Sequence, residues 1–508
     1  MQYTLSRDDK GGDRVELPSW GEVWSLISWI FRILNIYWIL QEMRTKRLSA
    51  AAVWAWLLVL LTVPVPGFFL YIYFGRDLRK TRFADKESRD LDVLMAHRQE
   101  ELFDQGITLP ELEDHMDSVR LQLAQDDSIV TDDNAIDLFV DGAALFESQL
   151  DDIQKAKTYI FIQYYIFRQD ELGKRFMEAL CHKASEGLEV RLLVDGMGSM
   201  MIPRRFFRQL ERAGGKVGTF FPPFVPYLHF QINYRNHRKL LIVDGVVGYI
   251  GGFNVGDEYV GKGPLGYWRD THLRFQGSAV GGMELRFVQD WNYAVADPIQ
   301  DHPISLLREY KEDELRPCII GAKAIRHVAV QMVSGGPDAK WPTIRNGFLR
   351  LISSARRKLY IQTPYLIPDD TIRETLKMAA LSGVDVRLML PDKPDHPCIF
   401  WASMSYVEEL LQAGVRCYAY HNGFLHSKVI TADGEVASVG TANLDVRSFS
   451  LNFEQSAFLY HRELTAELDA AFEADLAQCS EITLESYQQR PLWNRIREAV
   501  CRMISPIL

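Results

Sequence analysis

The chain has 508 residues, which is too long for one ordinary hydrophobic core and predicts two domains with additional segments. Hydrophobic residues make up 47% of the sequence and charged residues 24%, a composition that argues against extended disorder. The net charge of −10 argues against a nucleic-acid-binding protein, because duplex binding requires a basic surface. The six cysteines form neither a C-x-x-C pair nor a zinc spacing, so we expect free thiols in a reducing compartment.

Residues 1–82 predict a membrane anchor. Positions 50–74 are 25 mostly apolar residues without a charge, which exceeds the roughly 20 residues that cross the hydrocarbon core of a bilayer. This segment therefore predicts a spanning helix. Pro64 and Pro66 lie in its middle and predict a kink, and they leave a re-entrant hairpin as an alternative.

A shorter apolar segment, residues 23–40, precedes this predicted span. It has 18 residues and contains Arg32 and Asn35, which are both unfavourable at the centre of a membrane. A spanning helix and an interfacial amphipathic helix are equally compatible with this pattern. The segment lacks the basic start and the small-residue cleavage site of a secretory signal peptide. Two spans would place both ends of the anchor on one side, and the free cysteines favour the cytoplasmic side for the region that follows.

An internal duplication follows a charged, helix-like connector at residues 83–130. Three pairs of segments match at offsets of 199, 196 and 200 residues: 150–163 with 349–362, 187–194 with 383–390, and 209–214 with 409–414. In each copy, short apolar strands alternate with amphipathic helices, the pattern of an α/β domain with a buried sheet. We predict two homologous α/β domains, residues 131–320 and 325–485, packed pseudo-symmetrically. Residues 486–508 predict an amphipathic helix that lies either at a membrane interface or against the core.

Each copy carries the same polar motif. Counted from a histidine, a lysine follows at +2, an aspartate at +7, a glycine at +14 and an asparagine at +17. The first copy consists of His237, Lys239, Asp244, Gly251 and Asn254, and the second of His426, Lys428, Asp433, Gly440 and Asn443. Five coincident positions around an apolar, strand-like run indicate one active site built from both copies.

The residue types in this motif suit chemistry at phosphorus. Side chains at i and i+2 of a strand share a face, so each histidine projects together with its lysine. Two ammonium groups and two amides can stabilise charge on the non-bridging oxygens. One imidazole can attack phosphorus while the other protonates the leaving oxygen. This mechanism requires no metal or cofactor, and the glycines suggest a close approach of backbone to the ligand.

Four acidic residues accompany the histidines. Asp244 and Asp433 belong to the motif and are candidates for the catalytic group, and their position seven residues along a strand and turn favours a role in bracing the lysine loop. Asp270 and Glu454 lie 33 and 28 residues after the histidines of their own copies, and we expect them to orient those histidines. For Arg269 and Arg447 the favoured role is a structural salt bridge.

The paired motif resembles that of the phospholipase D superfamily, and nearly the whole chain resembles the bacterial cardiolipin synthases. The resemblance is carried by the two motifs and by flanking blocks, which include Gln163-Tyr-Tyr-Ile-Phe167, Gly251-Gly-Phe-Asn-Val-Gly-Asp-Glu-Tyr259, Trp268-Arg-Asp-Thr-His272, Thr363-Pro-Tyr365 and Gly440-Thr-Ala-Asn-Leu-Asp-Val-Arg-Ser-Phe449. The first apolar segment departs from the family pattern through Arg32 and Asn35, which puts the topology of the anchor in question.

The resemblance implies that one phosphatidylglycerol passes its phosphatidyl group to a second, forming cardiolipin and releasing glycerol. His237 would be the nucleophile that forms a phosphatidyl-histidine, and His426 the general acid and then the general base. The phosphate would be held by Lys239, Lys428, Asn254 and Asn443. The expected location is the bacterial inner membrane with the catalytic domains on the cytoplasmic side, without cofactor or nucleic acid.

Three other activities are compatible with the motif to different degrees. A phospholipase D-type hydrolase of membrane lipids would use water as the acceptor, and only its second step would differ. A phosphodiesterase or nuclease on the same scaffold is disfavoured by the net charge of −10 and by the anchor. A catalytically inactive membrane scaffold is disfavoured by two intact motifs. The sequence decides neither the oligomeric state nor whether phosphatidylethanolamine serves as a donor.

Overall fold

The computed structural model describes residues 19–45, 50–74, 86–104, 110–222, 233–299, 316, 318 and 324–505. The described residues before position 78 form one compact unit. Those from Lys86 onward, apart from Asn233, form a second unit.

The first unit consists of three helices: α1 (Trp20–Thr45), α2 (Ala50–Thr62) and α3 (Pro64–Phe74). Within the described residues, one helical stretch is long and apolar enough to cross a membrane, and it is Trp20–Gln41 of α1. The predicted span at 50–74 is instead divided at Val63, and α3 folds back along α2. The rings of Trp56 and Tyr71 lie 5.0 Å apart, whereas fifteen residues of a straight helix would separate them by roughly 22 Å. The expected single span is therefore a helical hairpin, the alternative that the two prolines left open.

The reversal of this hairpin is held by the two polar residues of α1. Pro64 has no N–H, so the carbonyl oxygen of Leu60 lacks its usual helical donor. Asn35 donates its amide to the carbonyl oxygens of Leu60 at 3.4 Å and Pro64 at 3.1 Å. Arg32 donates to the carbonyl oxygen of Leu61 at 3.3 Å. Asn35 thus supplies a donor to the Leu60 carbonyl, which Pro64 leaves without its helical partner, and Arg32 supplies one to the neighbouring Leu61 carbonyl.

The second unit begins with helices α4 (Lys86–Asp104) and α5 (Met116–Asp126), which pack beside the duplicated region. The first copy then contains β1 (Val130–Phe139), α6 (Gly142–Gln154), β2 (Tyr159–Tyr164), α7 (Glu171–Ser185), β3 (Glu189–Asp195), α8 (Arg204–Arg212), β4 (Lys216–Phe220), β5 (Arg235–Asn236), β6 (Leu240–Val243), β7 (Val247–Gly251), β8 (Trp268–Arg269), β9 (His272–Gln276) and α9 (Ala279–Ala294).

The second copy repeats this order with small additions. It contains β10 (Ile325–Gly335), α10 (Thr343–Ser354), β11 (Lys358–Gln362), β12 (Leu366–Ile367), α11 (Asp370–Leu381), β13 (Asp385–Pro391), α12 (Pro397–Met404), α13 (Val407–Gln412), β14 (Arg416–Tyr420), β15 (Phe424–Leu425), β16 (Val429–Ala432), β17 (Val436–Gly440), β18 (Leu444–Asp445), α14 (Val446–Ser450), β19 (Asn452–Tyr460), α15 (Arg462–Leu476) and β20 (Cys479–Ile482). The chain continues into α16 (Leu484–Gln488) and α17 (Leu492–Ile504).

The two copies share one continuous sheet. Its strand order is β20-β14-β13-β11-β16-β17-β19-β10-β1-β9-β7-β6-β2-β3-β4. The order reads outward in the same way from the central pair β1 and β10, which are antiparallel with Val130 opposite Gln331. The predicted pseudo-symmetric packing of two α/β copies is therefore realised through backbone hydrogen bonds across a shared sheet.

The helices that cover the sheet begin and pack as their sequences require. Asp170 accepts a hydrogen bond from the backbone N–H of Gly173 at the start of α7, and this cap satisfies an otherwise unpaired donor. Leu172, Phe176 and Leu180 recur every four residues along α7, and all three are buried. The equivalent cap in the second copy is Asp369, at the start of α11.

The C-terminal helix α17 docks through one side and leaves an apolar side exposed. Its docked side includes Glu498, which pairs with Arg490 and accepts a hydrogen bond from the Tyr487 hydroxyl. The exposed apolar residues are Leu492, Trp493, Ile496, Val500 and Met503. The sequence allowed a helix at a membrane interface or a helix docked against the core. Helix α17 is docked on one side and has an exposed apolar side, as an interfacial helix would.

Candidate active site

Two short parallel strand pairs position the motif histidines. Strand β5, which precedes His237, pairs with the start of β19, so that Asn236 lies opposite Phe453. Strand β15, which precedes His426, pairs with β8, so that Leu425 lies opposite Arg269. Each pair joins one copy to the other. Each motif histidine is therefore placed by backbone from the opposite copy.

The next residue in each register is the carboxylate that contacts the histidine. His237 Nδ1 lies 3.0 Å from both carboxylate oxygens of Glu454. His426 Nδ1 lies 2.6 Å from Oδ2 of Asp270. Asp270 and Glu454 thus contact the histidines, as expected. Each of them, however, contacts the histidine of the other copy and not that of its own. In both rings this contact leaves Nε2 available to a ligand.

The charges of the site are buried together. Burial lowers the pKa of His237, and burial together with Lys428 lowers the pKa of His426 to about 4. Burial likewise lowers the pKa of Lys239 to about 7 and that of Lys428 to about 8. Both imidazoles are therefore neutral near pH 7, which is the state that a nitrogen nucleophile requires.

The carboxylates keep their charge despite complete burial. Burial alone would raise the pKa of Asp270, but Lys428 and His426 lower it below its usual value. Burial would also raise the pKa of Glu454, which His237 and Lys239 lower. A buried carboxylate beside each ring stabilises the imidazolium that forms when the ring takes up a proton.

Both histidines open onto one cavity of about 750 Å³. Asn254 and Asn443 also line it, as the motif predicted. One amide hydrogen of Asn254 is donated to the Tyr259 hydroxyl and one of Asn443 to Asp445, at 3.1 Å in both cases. Because a side-chain amide has two N–H donors, each asparagine retains one for a phosphate oxygen.

Two aromatic rings flank the histidines, and the motif gave no sign of them. The Tyr165 ring lies 5.1 Å from the His237 ring, and the Lys239 ammonium lies 5.5 Å from the centre of the same tyrosine. The Trp268 ring lies 5.3 Å from the His426 ring. Tyr165 and Trp268 belong to two of the sequence blocks that carry the family resemblance.

The motif aspartates were candidates for the catalytic group. Each lies after its strand, at the end opposite the motif histidine and lysine. Asp244 accepts hydrogen bonds from the backbone N–H groups of Lys157, Thr158 and Tyr159 and pairs with Arg316 at 2.7 Å. Strand β6 separates it from Lys239, and five residues of strand span roughly 16 Å.

Asp433 occupies the equivalent turn of the second copy. It accepts hydrogen bonds from the backbone N–H groups of Arg356, Arg357 and Lys358. Asp244 and Asp433 also adopt positive φ angles of 56° and 55°, as tight turns require. The structure therefore assigns both aspartates to bracing the sheet and not to the reacting phosphate.

The motif glycines are required by neighbouring protein rather than by a ligand. A Cβ atom on Gly251 would lie 2.4 Å from the carbonyl oxygen of Thr271, and one on Gly440 would lie 2.5 Å from the carbonyl oxygen of Gln455. On Gly252, which follows the first motif glycine, a Cβ atom would lie 2.1 Å from a carboxylate oxygen of Asp270. The sequence predicted that backbone at these glycines lies close to a ligand. In the structure it lies close to the segments that carry Asp270 and Glu454. Thr441 occupies the position of Gly252 in the second copy, and its hydroxyl donates to Glu454 at 2.5 Å.

A second layer of buried polar residues fixes the histidine segments. Asp290 accepts hydrogen bonds from Gln163, Asn236 and Arg238. In the second copy Asp475 accepts from Gln362 at 2.8 Å and pairs with Arg269 at 2.8 Å, the structural salt bridge that was expected for this arginine. The matched glutamines, visible as the last residues of the aligned segments 150–163 and 349–362, were the sequence signal for this layer.

Among the described residues there is no group of three or more His, Cys, Asp and Glu side chains placed to hold a metal ion.

The fold and the paired histidines define a phospholipase D-like protein. A family model described as "Cardiolipin synthase, PLD-like domain" matches residues 150–262 and 348–476, one segment in each copy. The chain is 44% identical over 494 residues to the major cardiolipin synthase ClsA of Bacillus subtilis (strain 168), a match that covers 95% of this chain and 99% of the relative. It is 45% identical over 491 residues to a cardiolipin synthase of Oceanobacillus iheyensis, with coverage of 95% and 99%. The chain belongs to the bacterial cardiolipin synthase family.

A solved structure extends the similarity of fold. The phosphatidylserine synthase of Haemophilus influenzae Rd KW20 superposes with a TM-score of 0.56 at 14% identity, covering 73% of this chain and 95% of that one. At this level of identity the comparison shows a shared architecture.

We expect Asp244→Ala and Asp433→Ala to reduce stability and to spare the chemistry. Each substitution removes an acceptor for three backbone N–H groups, which should lower the free energy of unfolding by about 1–3 kcal/mol. Thermal unfolding and the activity of the folded fraction at low temperature measure the two effects separately. His237→Ala is the control that removes activity without touching this turn. A folded Asp244→Ala protein as inactive as His237→Ala would show that the aspartate takes part in catalysis.

Proposed function

We propose that the protein is a cardiolipin synthase that transfers a phosphatidyl group from one phosphatidylglycerol to another and releases glycerol. The observation that carries the proposal is the cavity, onto which two buried imidazoles open, each held by a carboxylate. A motif lysine contacts each of these histidines, Lys239 at the His237 carbonyl oxygen and Lys428 at the His426 ring. The identity of 44% to ClsA over 95% of the chain supports this assignment of substrate and product.

In the first half-reaction, Nε2 of His237 attacks the phosphorus of the donor. A P–N bond forms, the P–O bond to the glycerol headgroup breaks, and a phosphatidyl-histidine results. Glu454 holds Nδ1–H of His237 and stabilises the positive charge that develops on the ring. Lys239 and Lys428 offset charge on the non-bridging oxygens.

His426 acts as the general acid for the leaving oxygen and then as the general base for the attacking oxygen. As imidazolium it donates its proton to the departing glycerol oxygen, and Asp270 at 2.6 Å stabilises that charged form. The negative charge of the phosphodiester favours the protonated ring and so opposes the effect of burial on the pKa of His426. In the second half-reaction the neutral ring takes the proton of the acceptor hydroxyl, the P–N bond breaks, and a new P–O bond gives cardiolipin.

Features of both units support action at a membrane. Helix α1 contains the 22-residue apolar stretch Trp20–Gln41, and α17 exposes apolar side chains including Trp493 and Met503. Both substrates of the proposed reaction are bilayer lipids. The free cysteines, among them the adjacent thiols of Cys398 and Cys501, support placing the catalytic unit in the reducing cytoplasm at the inner membrane.

Purified protein in phosphatidylglycerol vesicles should form cardiolipin and glycerol in equal amounts, without nucleotide and in the presence of a chelator. The expectation follows from a site whose described groups complete the transfer unaided. Thin-layer chromatography of the lipids and an enzymatic glycerol assay measure both products, and His237→Ala is the inactive control. Phosphatidic acid as the main product would establish the alternative, a phospholipase D-type hydrolase. Reversible loss of activity on chelation would contradict the metal-free mechanism.

The crossed contacts predict which carboxylate acts with which histidine. Asp270→Asn should resemble His426→Ala, because both weaken the general acid, and Glu454→Gln should resemble His237→Ala. With a p-nitrophenyl ester as donor, which needs no protonation of its leaving group, we expect Asp270→Asn to regain about 10²–10⁴-fold relative to native lipid. The measurements are the release of p-nitrophenol and the amount of lipid that stays bound to the enzyme after an alkaline quench, in which a P–N bond survives. Recovery by Glu454→Gln instead of Asp270→Asn would assign the nucleophile to His426.

A further inference from the structure

Two arginines line the cavity on the His237 side. Arg235 lies at the start of β5, two residues before His237, and Arg447 lies in the first turn of α14. Both line the cavity together with Tyr165, the ring that packs against His237. The sequence favoured a structural salt bridge for Arg447, and the structure places this residue on the wall of the active site.

The two guanidinium groups act on each other and on Tyr165. Burial lowers the pKa of Arg447, Asp445 opposes this shift, and the charge of Arg235 adds to it. The hydroxyl of Tyr165 responds to both cations, although its own burial raises its pKa. Asp445 and Glu454 both oppose the lowering of the pKa of Arg447, and Arg235 also acts on the carboxyl group of Asp195. Because both arginines line the cavity, they present positive charge to it.

The reaction brings a second phosphodiester into this space. The acceptor lipid attacks through a hydroxyl of its glycerol, and its own phosphate follows across the short glycerol chain. Two phosphate monoanions then stand close together in a buried site, where their repulsion is poorly screened. The motif supplies one set of cations, Lys239 and Lys428, for the phosphorus that is transferred.

We propose that Arg235 and Arg447 form a second phosphate site, which binds the phosphodiester of the acceptor lipid. The inference rests on the proposed function, since it names the acceptor that this function requires. Arginine is suited to the role because its planar group donates two parallel hydrogen bonds to phosphate oxygens. The site orients the acceptor hydroxyl towards phosphorus and favours a lipid alcohol over water.

The test compares two acceptors that share one donor. Exchange of radiolabelled glycerol into phosphatidylglycerol uses the same histidines and the same intermediate, but its acceptor carries no phosphate. Arg447→Gln and Arg235→Gln should lower cardiolipin formation by about 10–100-fold, the loss of a charge-assisted contact, and leave glycerol exchange near wild type. Arginine-to-lysine variants should recover part of the loss. Arg168→Gln is the matched control, because Arg168 lines the same cavity but pairs with Glu258 at 3.5 Å.

The outcomes separate the two proposals. Equal loss of exchange and of cardiolipin formation would place the arginines in the shared first step and overturn the acceptor site. Unchanged cardiolipin formation in the double variant would also overturn it. Failure of the proposed function would appear differently, as a wild-type protein that makes phosphatidic acid and no cardiolipin.

Discussion

The active site depends on the register of two short parallel strand pairs that join the copies. Because Asn236 lies opposite Phe453 and Leu425 opposite Arg269, the next residue in each pair brings an imidazole against a carboxylate from the other copy. A slip of one residue would turn each carboxylate to the opposite face. The continuous sheet through β1 and β10, and the buried network of Asp290 and Asp475, hold that register. Neither copy contains a complete catalytic group by itself.

The near-symmetry of the motifs conceals a chemical difference between the two histidines. Glu454 is shared, since it accepts hydrogen bonds from Thr441 and Ser448 as well as from His237. Asp270 accepts from His426 and from the backbone of Thr271, and Gly252 leaves room for it where the second copy has a threonine. A carboxylate with more donors is a weaker partner for its imidazole. The structure thus provides a physical basis for unlike roles, which the motif spacing alone did not.

The sequence predicted much of this arrangement, and its failures have identifiable causes. Duplicated segments and the periodicity of apolar residues predicted the α/β copies, and the coincidence of His237 with His426 and of Lys239 with Lys428 predicted a joint site. The sequence analysis named Asp270 and Glu454 but assigned each to the wrong histidine. Proximity along the chain suggested a partner within the same copy, whereas the strands that carry these residues pair between the copies. The repeated motif spacing grouped Asp244 with the catalytic candidates, although a four-residue strand separates it from Lys239. In the anchor, the hydropathy of residues 50–74 predicted one continuous helix. Pro64 and Pro66 lack backbone N–H donors, and Asn35 of α1 donates to a carbonyl oxygen at this point, so the chain reverses there instead.

The crossed contacts also determine when during synthesis the site comes into existence. His237 and its carboxylate Glu454 are 217 residues apart in the chain. At translation rates of about 5–20 residues per second, roughly 10–40 s pass between the emergence of the two residues from the ribosome. Throughout that interval the nascent first copy carries an imidazole without its orienting partner. A chain still on the ribosome, or one released early, is thus unable to attack the lipids of the membrane beside which it is made.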